Sequence, residues 1–471
     1  MTDERGVESL ATALSASTAA DRATAAEALA ARAESDPAAV ATVATELDTG
    51  VTHVDARVRT GTTAALAEAA DANAAAVAPL AGHLGDRLDD EELAVCHHAA
   101  YALARVGAVD PGAVESAVPA LARATHADDD SLSRLAVHAV AAVADTDPTV
   151  VEGGDTETAA RLQAGLVTAL GDDDDSVRRR AGRALARLVE CGAVAPPEPT
   201  ALVPLATDDD PAARRDATFL SARAADAEPT AVLDTLPTIA DRLSDHGAVT
   251  VHAVAALSDA ARVAPERVVD SVVVGERITP LLRHDRPDVR ANAALTLGRV
   301  VGETSAVADS VDTLAERLVD SAPVVRANAA FALAALAEVE PDAARPAMEP
   351  LLGRLEDDEE REQVRIHAGT ALDTLRSELS PAPSPVSAAA ADDGVPRGAA
   401  AATDGERGVG RLDTDETGAT DETSAASETR DETSAASEAD APEDGTREHA
   451  GRPDGTGGSR PQSDTPGPPD G

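Results

Sequence analysis

The stretches VRANAALTLGRV (Val289 to Val300) and VRANAAFALAAL (Val325 to Leu336) repeat one phrase 36 residues apart, and looser copies run through most of the chain. Counting from the first residue of the phrase, position 1 falls at Asp21, Val58, Val95, Leu135, Val177, Ala213, Val249, Val289, Val325 and Val364. Position 5 is Ala in nine of these ten copies, Thr62 being the exception. Position 9 is Leu in eight, with Val143 and Ser221 departing. Apolar positions 1, 5, 8, 9 and 12 share one face at ~3.6 residues per turn, so each phrase predicts an amphipathic helix.

A second apolar segment precedes each phrase, as in AAVAPLAGHL, SVDTLAERL and PAMEPLLGRL. Asp-rich turns such as Asp172–Asp175 and Asp208–Asp210 join the two segments. Asp there can accept from the free N–H groups that open the second helix. Asp36-Pro37, Asp110-Pro111, Asp147-Pro148, Glu228-Pro229 and Glu340-Pro341 close many units, because proline fits the first turn of a helix and not its interior.

Helix, Asp turn and a helix opening on Val-Arg, at a period near 38, resemble the HEAT repeat family, with its phycobilisome-lyase-type variant as a close relative. The resemblance covers roughly Val7 to Leu379 and implies an all-α solenoid of about ten antiparallel helix pairs over residues 1–379. Each pair stacks on its neighbours because it cannot bury its apolar face alone. HEAT arrays mostly serve as scaffolds and adaptors, so the resemblance implies a protein partner held on the concave side and no enzyme activity. It also implies that arginine at position 2 pairs with a turn aspartate and links neighbouring repeats. Seven copies carry that arginine: Arg22, Arg59, Arg178, Arg214, Arg290, Arg326 and Arg365.

From residue 380 to 471 the composition turns to Pro, Gly, Ser, Thr and acid, with DETSAASE at Asp421–Glu428 and again at Asp431–Glu438. Such a segment buries too little apolar surface to offset chain entropy, and it predicts a disordered acidic tail. The whole chain carries a formal charge of −45, and all 40 of its basic residues are arginine. Net charge of this size makes a compact state repel itself, which concentrated salt screens, so the acidity reads as a halophile-like adaptation. Cys96 and Cys191 offer no disulfide framework, and no apolar run is long enough for a membrane span. A cytoplasmic location is the expectation.

Positions 0, 4, 7 and 11 form one stripe within about 60° of arc, which should line the concave side. All three aromatics fall on it at position 7, as Tyr101, Phe219 and Phe331, with Leu295 in the same place. Position 4 contributes His98, His138, Asn292 and Asn328. The stripe also holds eight arginines against six acids, and repeats 3 to 6 carry Arg105, Arg134, Arg180, Arg183, Arg187 and Arg223. These residues are the candidate partner-binding set. Arginine takes carboxylate or phosphate bidentately, so an anionic ligand is a second reading, with the chain's own acidic tail as one source.

Two chemical alternatives are weaker. CHHAAYALARV (Cys96 to Val106) is similar to the helix that carries the His-Glu iron motif of HEAT-type deoxyhypusine hydroxylases. None of the eleven histidines is followed by Glu, so the carboxylate ligands are missing and the activity is not carried over. No catalytic residue, metal ligand or cofactor is assigned. A hydroxylase- or lyase-like HEAT enzyme stays as an alternative. Nucleic acid is disfavoured by the net charge, the arginine stripe being the one feature that favours it.

Overall fold

The computed structural model describes residues 4–152, 155–245 and 247–378. The expected tail, 380–471, and the boundary before it lie outside the described residues. Among the described residues every regular element is helical. The ten phrases lie on ten long helices: Ala19–Ser35, Ala56–Val77, Leu93–Gly107, Asp130–Thr146, Asp175–Glu190, Pro211–Ala227, Ala248–Val263, Pro287–Val300, Pro323–Val339 and Glu362–Glu378. Each packs against the long helix of the next repeat, and the shorter upstream elements form a second layer. The fold is an α-solenoid of ten repeats.

The capping chemistry follows the turn residues. The side chains of Thr18, Asp55, Asp129, Asp174 and Asp210 accept from backbone N–H groups at the start of the second helices. Asp36 and Asp110 cap the short helices that begin at Pro37 and Pro111. Buried valines at position 1 (Val58, Val95, Val289, Val325) and leucines at position 9 (Leu29, Leu66, Leu103, Leu297) are fully covered.

The first member of most pairs differs from the simple helix that its amphipathic pattern predicts. In repeat 4 it is split into Pro111–Val114, a 3-10 turn at Glu115–Ala117, and Val118–Ala124. Proline removes an N–H and collides with the carbonyl four residues back, so Pro79, Pro119, Pro204 and Pro237 break the segments that contain them. Repeat 5 has no such proline, and its first member, Thr156–Ala169, is unbroken. The same segments of repeats 2 and 9 are broken without an internal proline, which nothing in their sequence explains.

In four repeats the arginine at position 2 ties its repeat to the next. Arg290 donates through one guanidinium nitrogen to the carbonyls of His284 and Asp285 in its own turn, at 2.9 and 2.8 Å. Its other two nitrogens grip Asp320 in the next repeat's turn, both at 2.8 Å. Arg59 does the same with Asp90 and Arg326 with Glu360, while Arg214 reaches Asp245 through its Nε at 2.7 Å. A second arginine reaches each of these acids from its own side of the turn: Arg87 to Asp90, Arg242 to Asp245, Arg317 to Asp320 and Arg354 to Glu360. Asp90, Asp320 and Glu360 have side chains 2%, 3% and 1% exposed, so these are buried charges that both arginines compensate.

Where position 2 is not arginine, neighbours take over. In repeat 3, Cys96 Sγ donates to the Asp90 carbonyl while His97 contacts Asp129 at 2.7 Å. In repeat 4, Arg134 reaches Asp172. In repeat 5 position 2 is arginine, but Arg178 turns back onto Asp175 and the position-3 residue Arg179 takes Asp208 instead.

Burial alone would raise the Asp90 and Asp320 carboxyls, but their arginines hold both below the usual carboxylate range. Glu360 is held low by Arg326 against the same burial. A carboxyl whose folded pKa is depressed adds stability that is present above its unfolded value, about 4. That stability is lost as pH falls through the folded value. Asp320→Ala leaves Arg290 and Arg317 facing a buried position without their acid and should cost about 3 kcal/mol at pH 7. It should also flatten part of the acid limb of stability below about pH 4. Urea titrations between pH 2 and 7 check both.

Candidate partner-binding face

The stripe of positions 0, 4, 7 and 11 holds the partly exposed residues of the second-helix layer. His98, Tyr101, Arg134, His138, Phe219, Arg223, Asn292, Leu295, Asn328 and Phe331 are half-buried, and Arg105, Arg180, Arg183 and Arg187 are exposed. They fall into three groups with different surroundings.

The first group is in repeats 3 to 5. Tyr101 donates its hydroxyl to Asp71 Oδ2 at 2.8 Å, and Arg105 meets Asp71 Oδ1 at 2.6 Å. One carboxylate from the end of the preceding repeat therefore orients both side chains. Burial raises the Tyr101 phenol, as does its bond to Asp71. Burial lowers the imidazoles of His98 and His138, and for His138 the nearby Arg180 and Arg105 cations add to the effect. Arg180 donates to the Ser176 hydroxyl at 3.1 Å, and among the described residues no carboxylate lies within ion-pair distance of it.

The second group, in repeats 5 and 6, is more nearly neutral than a count along the stripe suggests. Arg183 lies 3.7 Å from Asp145, Arg187 3.2 Å from Glu190 and Arg223 3.6 Å from Asp226. Asp216 is buried beside them and accepts from Arg215 at 2.7 and 3.0 Å. Burial raises its carboxyl despite Arg215, Arg183 and Arg187. Phe219 presents its ring edge-on to His252 of the next repeat, with centroids 5.4 Å apart.

The third group packs between repeats. Phe331 meets His367 edge-on at 5.7 Å on one side. On the other side its ring covers Gly298, where a Cβ would come within 2.6 Å of it. Asn328 Nδ2 donates to the Ala291 carbonyl at 2.9 Å. These two side chains join repeats 8, 9 and 10. Arg134 also serves the inter-repeat ties, through Asp172, and stands apart from the groups around Tyr101 and Phe219.

Sequence reasoning missed Asp71, which follows the end of its repeat's phrase and so fell outside the tally. It also missed the recurring Arg-Leu-x-Asp of residues 87–90, 242–245 and 317–320, whose arginine is the second hand on each tie. Among the described residues no group of three or more His, Cys, Asp or Glu side chains converges to hold a metal ion. No helix there is long and apolar enough to cross a membrane.

A family model for HEAT repeats matches residues 275–373, which are repeats 8 to 10. A chain from a structure described as "A conserved phosphorylation switch controls the interaction between cadherin and beta-catenin in vitro and in vivo" superposes with a TM-score of 0.63. The match covers 78% of this chain and 80% of that one at 14% identity, and so concerns the fold. The array therefore has a HEAT/armadillo-type fold, and its residues 275–373 match the HEAT-repeat family. Two engineered proteins align with 46% of the chain at 24% and 27% identity, covering 96% and 98% of their own lengths, with TM-scores of 0.39 and 0.37. A comparison with curated protein sequences finds no match.

In this HEAT/armadillo-type array the Phe331–Gly298 contact is testable as packing. Gly298→Ala should destabilise the native chain, because the ring has to move. The same change should be close to neutral in a Phe331→Ala background. Phe331→Ala by itself should cost about 2 kcal/mol, less than a fully buried phenylalanine. A double-mutant cycle by denaturant unfolding reads the coupling.

Proposed function

We propose that this HEAT/armadillo-type protein is a non-enzymatic, cytoplasmic interaction scaffold that holds a protein partner along the open face of repeats 3 to 6. The observation that carries the reading is the pair of half-buried aromatics, Tyr101 and Phe219, held in place on a stripe of short side chains, histidine, arginine and two aspartates. Partly exposed aromatics with arginine nearby are the side chains that most often dominate binding energy at interfaces. Asp71 supports pre-organisation, because it fixes Tyr101 and Arg105 before any partner arrives. The fold adds a coarser support: the cadherin–beta-catenin structure, by its own description, concerns an interaction between proteins.

An anionic group on the partner is the second reading, favoured by Arg180 alone. The other arginines of the face lie near acids, so an acidic partner gains most at that one guanidinium. Bidentate contact there would depend on geometry more than on long-range attraction in concentrated salt.

The experiment is quantitative affinity purification from native extract with three proteins: the native chain, a Tyr101→Ala/Phe219→Ala variant, and a control altered at exposed Asp312. The reading expects one partner retained by the native chain and the control, and depleted about 10-fold by the double variant, the equivalent of ~1.4 kcal/mol. Equal recovery on all three proteins would reject this face as the docking surface.

A further inference from the structure

Position 9 is aliphatic in nine of the ten copies, and Leu29, Leu66, Leu103 and Leu185 there are fully buried. The position lies between the flank of the helix that meets the preceding repeat and the flank that meets the following one. A leucine there joins the apolar contacts of both sides. In repeat 6 the residue is Ser221, 4% exposed, whose hydroxyl donates to the Ala217 carbonyl of its own helix at 2.9 Å.

At this residue the apolar core stops being continuous. One cluster of buried side chains runs from Val7 to Leu220, and a second runs from Ala222 to Leu375. They meet inside the helix Pro211–Ala227. Ala213, Ala217 and Leu220 belong to the first, and Ala222 and Ala225 to the second. At ~100° per residue these two sets lie on opposite flanks, with Ser221 between them.

The polar seam continues into repeat 7. Buried Thr218 donates to the Arg214 carbonyl at 2.9 Å, Thr235 to Val232 at 3.0 Å, and Thr250 to Asp245 at 2.5 Å. Each hydroxyl satisfies itself within its own repeat, so none of these bonds ties one repeat to the next. Position 2 of repeat 7 is that same Thr250, and the arginine links between repeats 7 and 8 run the other way, from Arg267, Arg277 and Arg299. The specific side-chain contacts across from repeat 6 to repeat 7 include the Arg214–Asp245 pair at 2.7 Å and the Phe219–His252 edge contact.

We propose that the array consists of two cooperative blocks, Val7–Leu220 and Ala222–Leu375, that meet at Ser221 and open independently of one another. In a repeat array cooperativity passes only through neighbouring contacts, so a break in the apolar core is where it fails first. Phe219 packs against the first cluster, and His252 belongs to a helix of the second. A segment laid over repeats 5 to 7 would touch both blocks and couple them. The blocks stand or fall independently of any partner.

The test is hydrogen exchange of the full chain, read peptide by peptide across a urea series. Peptides from the two blocks should lose protection at separate midpoints. Leu103→Ala should lower the first midpoint by on the order of 1 M urea and leave the second in place, and Leu333→Ala should do the converse. Ser221→Leu, which supplies the residue that eight copies carry, should draw the midpoints together. Either Leu→Ala variant moving both midpoints equally would overturn the proposal. A folded Ser221→Leu protein with its midpoints still apart would overturn the role of Ser221. If that variant does not fold, the two Leu→Ala variants decide.

Discussion

The array depends on turn acids that, at four of its junctions, are gripped from two sides by arginine. Asp90, Asp320 and Glu360 are almost without solvent contact, and a carboxylate in that position is costly unless it is fully paired. One guanidinium comes from the preceding repeat and one from the turn itself, so the charge is compensated only when two repeats are correctly stacked. The apolar positions supply attraction without register, since alanine and leucine pack in several ways. The bidentate arginine fork supplies the register, because its geometry accepts one arrangement of donor and carboxylate. Arg290 adds its own turn's carbonyls to the same network and thereby fixes the entry of its helix.

This use of arginine shapes what is left for function. The chain has 85 acids and 40 basic residues, and the arginines of the ties are committed to structure. Most arginines of the open face also lie near a carboxylate. The face is thus closer to neutral, with Tyr101, Phe219 and Arg180 as its distinctive points. The same face spans Ser221, where the first apolar cluster ends and the second begins.

Much of the fold was legible because a repeat states its packing rule ten times. Val at position 1, Ala at 5 and Leu at 9 identified the second helices, and the Asp turns identified their caps. The pairing of position-2 arginine with a turn acid was also legible. Less visible was anything that depends on a partner thirty residues away. Arg134 occupies a stripe position in its own helix, yet its side chain reaches Asp172 of the next repeat. Phe331 reads as an exposed anchor until Gly298, one repeat earlier, is seen to leave the space that its ring fills. Tyr101 and Arg105 share Asp71, a residue just beyond the repeated phrase. A helical wheel gives azimuth and says nothing of which neighbour lies at that azimuth. The broken first members of repeats 2 and 9 carry no internal proline and gave no signal of the break.

The most direct measurement of whether these ties hold the array in register is a double-mutant cycle across one of them. Arg326→Met, Glu360→Gln and the combination would be compared with the native chain by denaturant unfolding. If the pair acts as the buried, bidentate link between repeats 9 and 10, the two changes are coupled by more than about 1 kcal/mol. Changes that add within about 0.3 kcal/mol would contradict the account, leaving apolar packing alone to set the register.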